Sequence, residues 1–320
     1  MRTGGPWNTG PSVVAMGGGH GLAATLRALR RVTDAVTAVV GVSDDGGSSG
    51  RIRRELGLIP PGDLRMALAA LCGDDTWGRT WSRVLQHRFE GTGELSGHAV
   101  GNLLISALWQ ETGDAVRGLD WVAALLEAQG RVLPVACEPV DLIADVRGLD
   151  GPDVVSELRG QVAIATTSGE VQALRIEPAE PQPCPQVVEA LQRASMIVLG
   201  PGSWFTSVLP HLYVREVREA VVAAPAVKVL VVNVAAQVGE TTGFTPSKYL
   251  LNLASTFPEV SLDYVIVDPT SVVDEAMLHR VCAELGAKPV IEEVRATEGG
   301  QLLAVHDTLL LGAVFSRMLA

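Results

Sequence analysis

Lysine is almost absent from this 320-residue chain, where Lys228, Lys248 and Lys288 stand beside 22 arginines. We read that bias as the mark of a GC-rich genome rather than a device of function. The formal net charge is −11, and no run of Lys/Arg tracks a helix face apart from the short cluster Arg51, Arg53, Arg54. Nucleic-acid binding needs an extended basic footprint to release counterions, so that class is set aside. A local basic pocket for a small anion stays open, because net charge says little about one site. Aromatic residues are scarce at 4%, which leaves Val, Leu, Ala and Ile to build the core. The four cysteines contain no CxxC pair, which excludes zinc-ribbon and thioredoxin-like chemistry. Each reads instead as a small apolar residue in a reducing cytosol. The longest apolar stretch, about 221–238, is broken by Pro225, Lys228 and Asn233 and reads as helix end, turn and strand. Residues 1–11 have no apolar segment and read as a disordered lead. The expectation is a cytoplasmic protein without a membrane span, 12–320 forming one domain.

What is present is an alternation of buried strands and amphipathic helices. "SVVAM" (12–16) runs into glycines, a helix follows over about 20–31, and "AVTAVVGV" (35–42) is a second strand. That order predicts a right-handed parallel unit at the front of an open sheet. Residues 63–129 read as helical, with His98–Trp109 apolar nearly all round. Residues 131–177 alternate β-branched and polar residues between Gly-rich turns, which predicts a small antiparallel insertion. Parallel strands resume at 195–200, 227–234 and 263–268.

Ligands of open parallel sheets bind beyond the carboxyl ends of the strands. Four strand ends carry small, backbone-exposing loops. The first, Gly17-Gly18-Gly19-His20-Gly21, enters a helix and suits an anion, or else simply permits a tight turn. It lacks the Lys-Ser/Thr of a Walker A loop and the GxGxxG register. The second, "VSDDGGSSGR" (42–51), puts Asp44 and Asp45 near the place of a ribose-binding acid. Ser48, Ser49 and Arg51 follow as a phosphate wall. The third offers Gly200, Gly202 and Ser203 as a phosphate cradle, with a serine N-cap as the alternative. The fourth holds Asn233, Gln237, Glu240 and Thr241. Asp63 reads first as a helix N-cap, and otherwise joins Asp44 and Asp45 as an oxygen ligand of Mg²⁺. Arg51 and Arg65 are free to meet a phosphate or those carboxylates. His98 and Asn102, four apart, read as one buried helix face that either a backbone or a ligand satisfies. No catalytic nucleophile is evident; Ser203 is not in a GxSxG elbow.

"GGGHGL", "VSDDGGSSGRIRRELGLIPPGDLRMAL", "GHAVGNLL", "LGPGSWFTSVLP" and "QVGETTGFTPS" together resemble the YvcK/CofD-like proteins, and more closely the YvcK branch of gluconeogenesis factors. His20 stands where such glycine loops usually carry threonine, and Val305 where an arginine is frequent. The resemblance implies a three-layer, Rossmann-like α/β/α fold with a mostly parallel sheet. It also implies a cytoplasmic regulatory factor for cell-wall synthesis and shape on gluconeogenic carbon, binding UDP-sugars such as UDP-N-acetylglucosamine. Its partners would include a second copy of the chain or cell-wall regulatory proteins. The distant branch implies an Mg²⁺-dependent phospho-acyl (2-phospholactate-type) transferase instead, with positioning as its catalysis. An NAD-binding enzyme is the third reading, on the strand–glycine–acid pattern alone.

Overall fold

The structure is a computed structural model that describes residues 10–320. Of the lead read over 1–11, residues 1–9 lie outside the described residues. Strand β1 (Val13–Gly17) is buried along its whole length, as a strand covered on both faces must be. Helix α1 (Gly19–Leu29) and strand β2 (Val36–Val40) follow, and β2 pairs in parallel with β1, Val36 opposite Val13. Five helices come next: α2 (Gly47–Leu56), α3 (Gly62–Leu71), α4 (Thr76–Gln86), α5 (Val100–Thr112) and α6 (Ala115–Leu126).

Residues 131–134 correct the sequence reading. They form β3 (Arg131–Pro134), the parallel edge strand beside β2, and not part of the insertion. The antiparallel insertion begins later, with β4 (Asp141–Arg147), β5 (Val155–Arg159) and β6 (Glu170–Glu177) in the order β5-β4-β6. A short helix α7 (Gln161–Ala165) joins β5 to β6. β3 is buried at Val132, Leu133 and Pro134, and so short an apolar run carries no periodicity that separates it from the insertion that follows.

Four further parallel strands complete the main sheet: β7 (Met196–Leu199), β8 (Val227–Val231), β9 (Tyr264–Val267) and β10 (Lys288–Ile291). The full order is β10-β9-β8-β7-β1-β2-β3. From β1 the chain steps outward through β2 to β3; from β7 it steps the opposite way to β10. The switch point therefore lies between β1 and β7, where a doubly wound sheet opens a crevice. Right-handed crossovers in opposite directions put helices on both faces. On one face α1 packs against the C-terminal helix Thr308–Leu319, and on the other Pro185–Arg193 packs against Arg215–Ala223. Leu22, Leu26 and Leu29 of α1 are at most 1% exposed, each contributing roughly 1.5–3 kcal/mol of burial. A hairpin of β11 (Arg295–Glu298) and β12 (Gln301–His306), which periodicity did not reveal, precedes the last helix. That helix is capped by Asp307, which accepts from the Leu309 and Leu310 amides at 2.8 and 3.0 Å.

One histidine and one disulfide tie separate segments of the chain together. His211 is fully buried between the Val39 carbonyl of β2 (3.1 Å) and the Val208 carbonyl (3.3 Å). Burial holds its imidazole down to about 4, so the ring is neutral at neutral pH. Cys137 and Cys184 form a disulfide with Cα atoms 5.5 Å apart, while Cys72 and Cys282 are free and buried. This corrects the expectation of four separate thiols, together with the argument drawn from them for a reducing compartment. The pair is 47 residues apart in sequence, and spacing alone could not show it. Protein purified without reductant and denatured should titrate with two thiols per chain; four would contradict the pairing.

Candidate functional site

At the switch point the loop after β1 and the loop after β7 meet backbone to backbone. A Cβ on Gly21 would overlap the Pro201 carbonyl, and the Gly202 Cα lies just beyond it. Glycine at 21 is thus required by close approach. Gly17 and Gly200 close the strands below: the Gly41 amide donates to the Gly17 carbonyl and the Gly200 amide to the Met16 carbonyl. Asn233, following β8, clasps Gly202 from the other side. Its Oδ1 accepts from the Gly202 amide at 2.9 Å and its Nδ2 donates to the Gly202 carbonyl at 2.7 Å. A cavity of about 120 Å³ opens here, lined by His20, Gly21, Pro201, Gly202, Asn233 and Gln237. Ala304, Val305 and His306 of β12 form a further wall that sequence reasoning did not include, since the hairpin was not foreseen.

Asp63 is not the N-cap of α3; that position is Pro61, and Asp63 lies in the first helical turn. Its carboxylate instead reaches the α1 terminus, accepting from the Gly19 amide beside Gly18. Burial and the neighbouring Asp44 push its pKa up to about 7. Asp44 accepts from the Gly46 amide at 3.0 Å, and its other oxygen shares the edge of Gly62 with the Ser49 hydroxyl. Asp45 departs from the expected set of metal ligands. It turns to the insertion, where its Oδ1 accepts from the Val162 amide of α7 at 3.0 Å. The acids that face one another are therefore Asp44 and Asp63. Among the described residues no cluster of three or more His, Cys, Asp or Glu could hold a metal. Two carboxylates fit Mg²⁺, which takes its remaining ligands from phosphate and water.

The basic residues expected at a phosphate are engaged elsewhere. Arg51 donates to the Ser96 carbonyl at 2.7 Å and the Glu94 carbonyl at 3.3 Å. Arg65 is buried and donates to Gln86 of α4, away from the glycine loops. Desolvation holds its guanidinium down to about 10. His98 precedes α5 rather than lying on it, yet meets Asn102 at one atom. His98 Nδ1 is 2.9 Å from Ser48 Oγ, and Asn102 Nδ2 donates to the same oxygen at 3.0 Å. This knot fastens α2 to α5. The α5 helix is buried on its Asn102, Ile105 and Trp109 side only, and Leu103, Leu104 and Leu108 are half-buried.

The third and fourth loops also hold an internal acid where a phosphate was expected. Residues Trp204–Val208 form one π-helical turn, and Ser203 makes no side-chain capping bond to it. Glu240 is 4% exposed, and its carboxylate lies against the Ser203 and Thr206 hydroxyls and the Trp204 and Phe205 amides. Among the described residues neither oxygen completes a hydrogen bond, and the buried Gln237 Oε1 and Thr206 Oγ1 have no partner either. Burial pushes the Glu240 pKa up to about 7. Thr241 Oγ1 accepts from the Gln237 amide (3.1 Å) and from Tyr249 Oη (3.2 Å), which shapes this loop. The α7 helix closes over it, Gln161 Nε2 donating to the Thr206 carbonyl at 3.4 Å. No local signal could have placed α7 here.

Residues 13–308 match the family described as 2-phospho-L-lactate transferase CofD. The chain belongs to the CofD family. The gluconeogenesis factor of Bacillus subtilis is 36% identical to it, over 89% of this chain and 88% of its own length. A Mycobacterium tuberculosis protein that carries the same name provisionally is 46% identical, over 96% of this chain and 90% of its own. A crystal structure of a UPF0052-family protein from Bacillus halodurans superimposes with a TM-score of 0.84 at 33% identity. It covers 95% of this chain and 98% of that one. The expected α/β/α fold is therefore the fold of the family.

In this CofD-family chain the raised Asp63 pKa has a definite sign. The folded chain retains a proton that the unfolded chain releases between about pH 3.8 and pH 7, so this group's contribution to stability falls as pH rises through that window. His211 and His306, both held down to about 4, act oppositely below pH 6.5. Comparison with Asp63→Asn separates the two. The variant should gain stability over wild type as pH rises from about 4 to about 7, by at most about 1.4 kcal/mol per pH unit, and the gain should level off above that. Urea unfolding at each pH reads this, and a constant difference would refute the raised carboxylate. Gly21→Ala, forcing the two loops apart, should cost on the order of 1–3 kcal/mol of stability in the same assay.

Proposed function

We propose that the chain is a cytoplasmic regulatory factor that binds a nucleotide-sugar of the UDP-N-acetylglucosamine type. In this reading it serves gluconeogenic growth, cell-wall synthesis and cell shape. The observation that carries the reading is the crossing of the Gly17–Gly21 and Gly200–Ser203 loops at the sheet's switch point, with Asn233 holding one of them. The gluconeogenesis-factor names of the relatives support the regulatory part. Ligand pockets commonly exceed about 300 Å³, and the cavity of about 120 Å³ suits the diphosphate, with nucleoside and sugar extending along the strand ends. The groups around it are amides, hydroxyls and carboxylates that bind and orient. Ser48 and His98, the one serine–histidine contact at this edge, are turned toward α5.

A second reading, an Mg²⁺-dependent phospho-acyl transferase, is favoured by the Asp44–Asp63 pair and by the description of the family. Magnesium would neutralise a ligand diphosphate there, while Asp44 and Asp63 position it.

Calorimetry and thermal shift with UDP-N-acetylglucosamine, NAD, GTP and phosphoenolpyruvate, with and without Mg²⁺, separate these readings. The UDP-sugar should stabilise the protein by about 1.4 kcal/mol for each tenfold excess over Kd. Asn233→Ala should weaken that binding at least tenfold. A shift with NAD or GTP and none with the UDP-sugar would sink the first reading. The second requires turnover of a nucleotide-activated phospholactate or phosphoenolpyruvate beside a deazaflavin acceptor, abolished by Asp44→Asn.

A further inference from the structure

Helix α1 has its N-terminus in the cleft, and its 11 residues carry its other end about 16 Å away. That far end borders a second cavity of about 340 Å³, between the last turn of α1, the end of α3 and the outer side of α4. Its walls carry Arg27, Arg30, Arg31, Arg79 and Arg83, and one acid, Asp74. A concentration of this kind is unexpected in a chain of net charge −11.

The single acid is already engaged. Arg30 Nη2 lies 2.5 Å from one Asp74 oxygen, Arg31 reaches the other at 3.6 Å, and Arg79 donates to the Asp74 backbone carbonyl. Arg27 and Arg83 have no acid on the cavity wall to meet. Arg30 is the deepest of the five, its side chain only 8% exposed. Its Nη1 donates to Gln129 at 3.0 Å, but its buried Nε has no partner among the described residues. Ala69, Ala70 and Gly73 line the same cavity without filling it. Guanidinium groups present planar forks that match phosphate oxygens, and five around one concavity repel each other until an anion enters.

We propose that this cavity is a second anion site, separate from the cleft, for a small molecule carrying two or more phosphate groups. Its volume lies within the range of small-molecule pockets. Nucleic acid is disfavoured because the arginines surround one hollow, whereas a strand would need a basic track beyond it.

The test uses the full chain and inorganic pyrophosphate as probe, in calorimetry at fixed ionic strength. Wild type should bind it, with affinity falling steeply as salt is raised. Arg27→Ala combined with Arg83→Ala should weaken binding at least tenfold while leaving UDP-N-acetylglucosamine titrations unchanged. Asn233→Ala, which disturbs the cleft, should leave the pyrophosphate affinity of this cavity intact. Should the double variant melt early, Arg83→Gln on the exposed face of α4 serves alone, with at least a threefold loss. Equal pyrophosphate binding by wild type and the arginine variants overturns the proposal. So does a loss that follows Asn233→Ala instead, or an oligonucleotide that binds through these arginines where pyrophosphate does not.

Discussion

The close approach of two backbones at Gly21 and Pro201 is the constraint from which the site follows. A parallel sheet that winds outward in both directions leaves its two innermost strands, β1 and β7, with loops that must share one space. No side chain fits between them, so the facing atoms are peptide groups. Asn233 restores two of the hydrogen bonds that such a junction leaves open. His211 performs a similar task lower down, linking β2 to the segment after β7. The geometry of the cleft is thus set by backbone and by neutral polar groups.

Much of this was legible in the residues. Buried strands announce themselves as apolar runs, and glycine marks each strand-end loop in the sequence. What could not be read was where the side chains of those loops point. Asp45 is satisfied by an amide 117 residues away, and Asp63 by the first turn of a different helix. An Asp near a helix start looks the same whether it caps its own helix or another's. Arg51 and Arg65 illustrate the same limit, since a cation beside a glycine loop can face either way. The insertion shows itself by its alternating pattern, whereas β3, four residues long with three in succession buried, has too little sequence to declare which sheet it joins. The family motifs were more decisive than periodicity because their order along the chain is itself information.

The site also differs in kind from the one the loops suggested. At the α1 terminus and beside the π-helical turn, the places expected to hold phosphate are met by the chain's own carboxylates, Asp63 and Glu240. Both are buried, and burial disfavours their charged forms. An anionic ligand entering the cleft therefore meets acids that repel it when ionised and donate to it when protonated. A divalent cation between ligand and Asp44–Asp63 would reverse that balance. The unpartnered oxygens of Gln237, Thr206 and Glu240 belong to the same region and call for hydrogen donors.

Helix α1 gathers these observations into a single object. An acid faces its N-terminus and arginines crowd its C-terminus, which is the arrangement a helix dipole favours at both ends. The helix is therefore a polarised rod with a buried acid at one end and an arginine-lined hollow at the other. At an effective dielectric of about 20, unit charges about 16 Å apart interact by about 1 kcal/mol. Salt reduces this further for exposed groups. Neutralising one end thus changes the other by a fraction of a proton, enough to tune an acid whose pKa lies near 7 and too little to switch it.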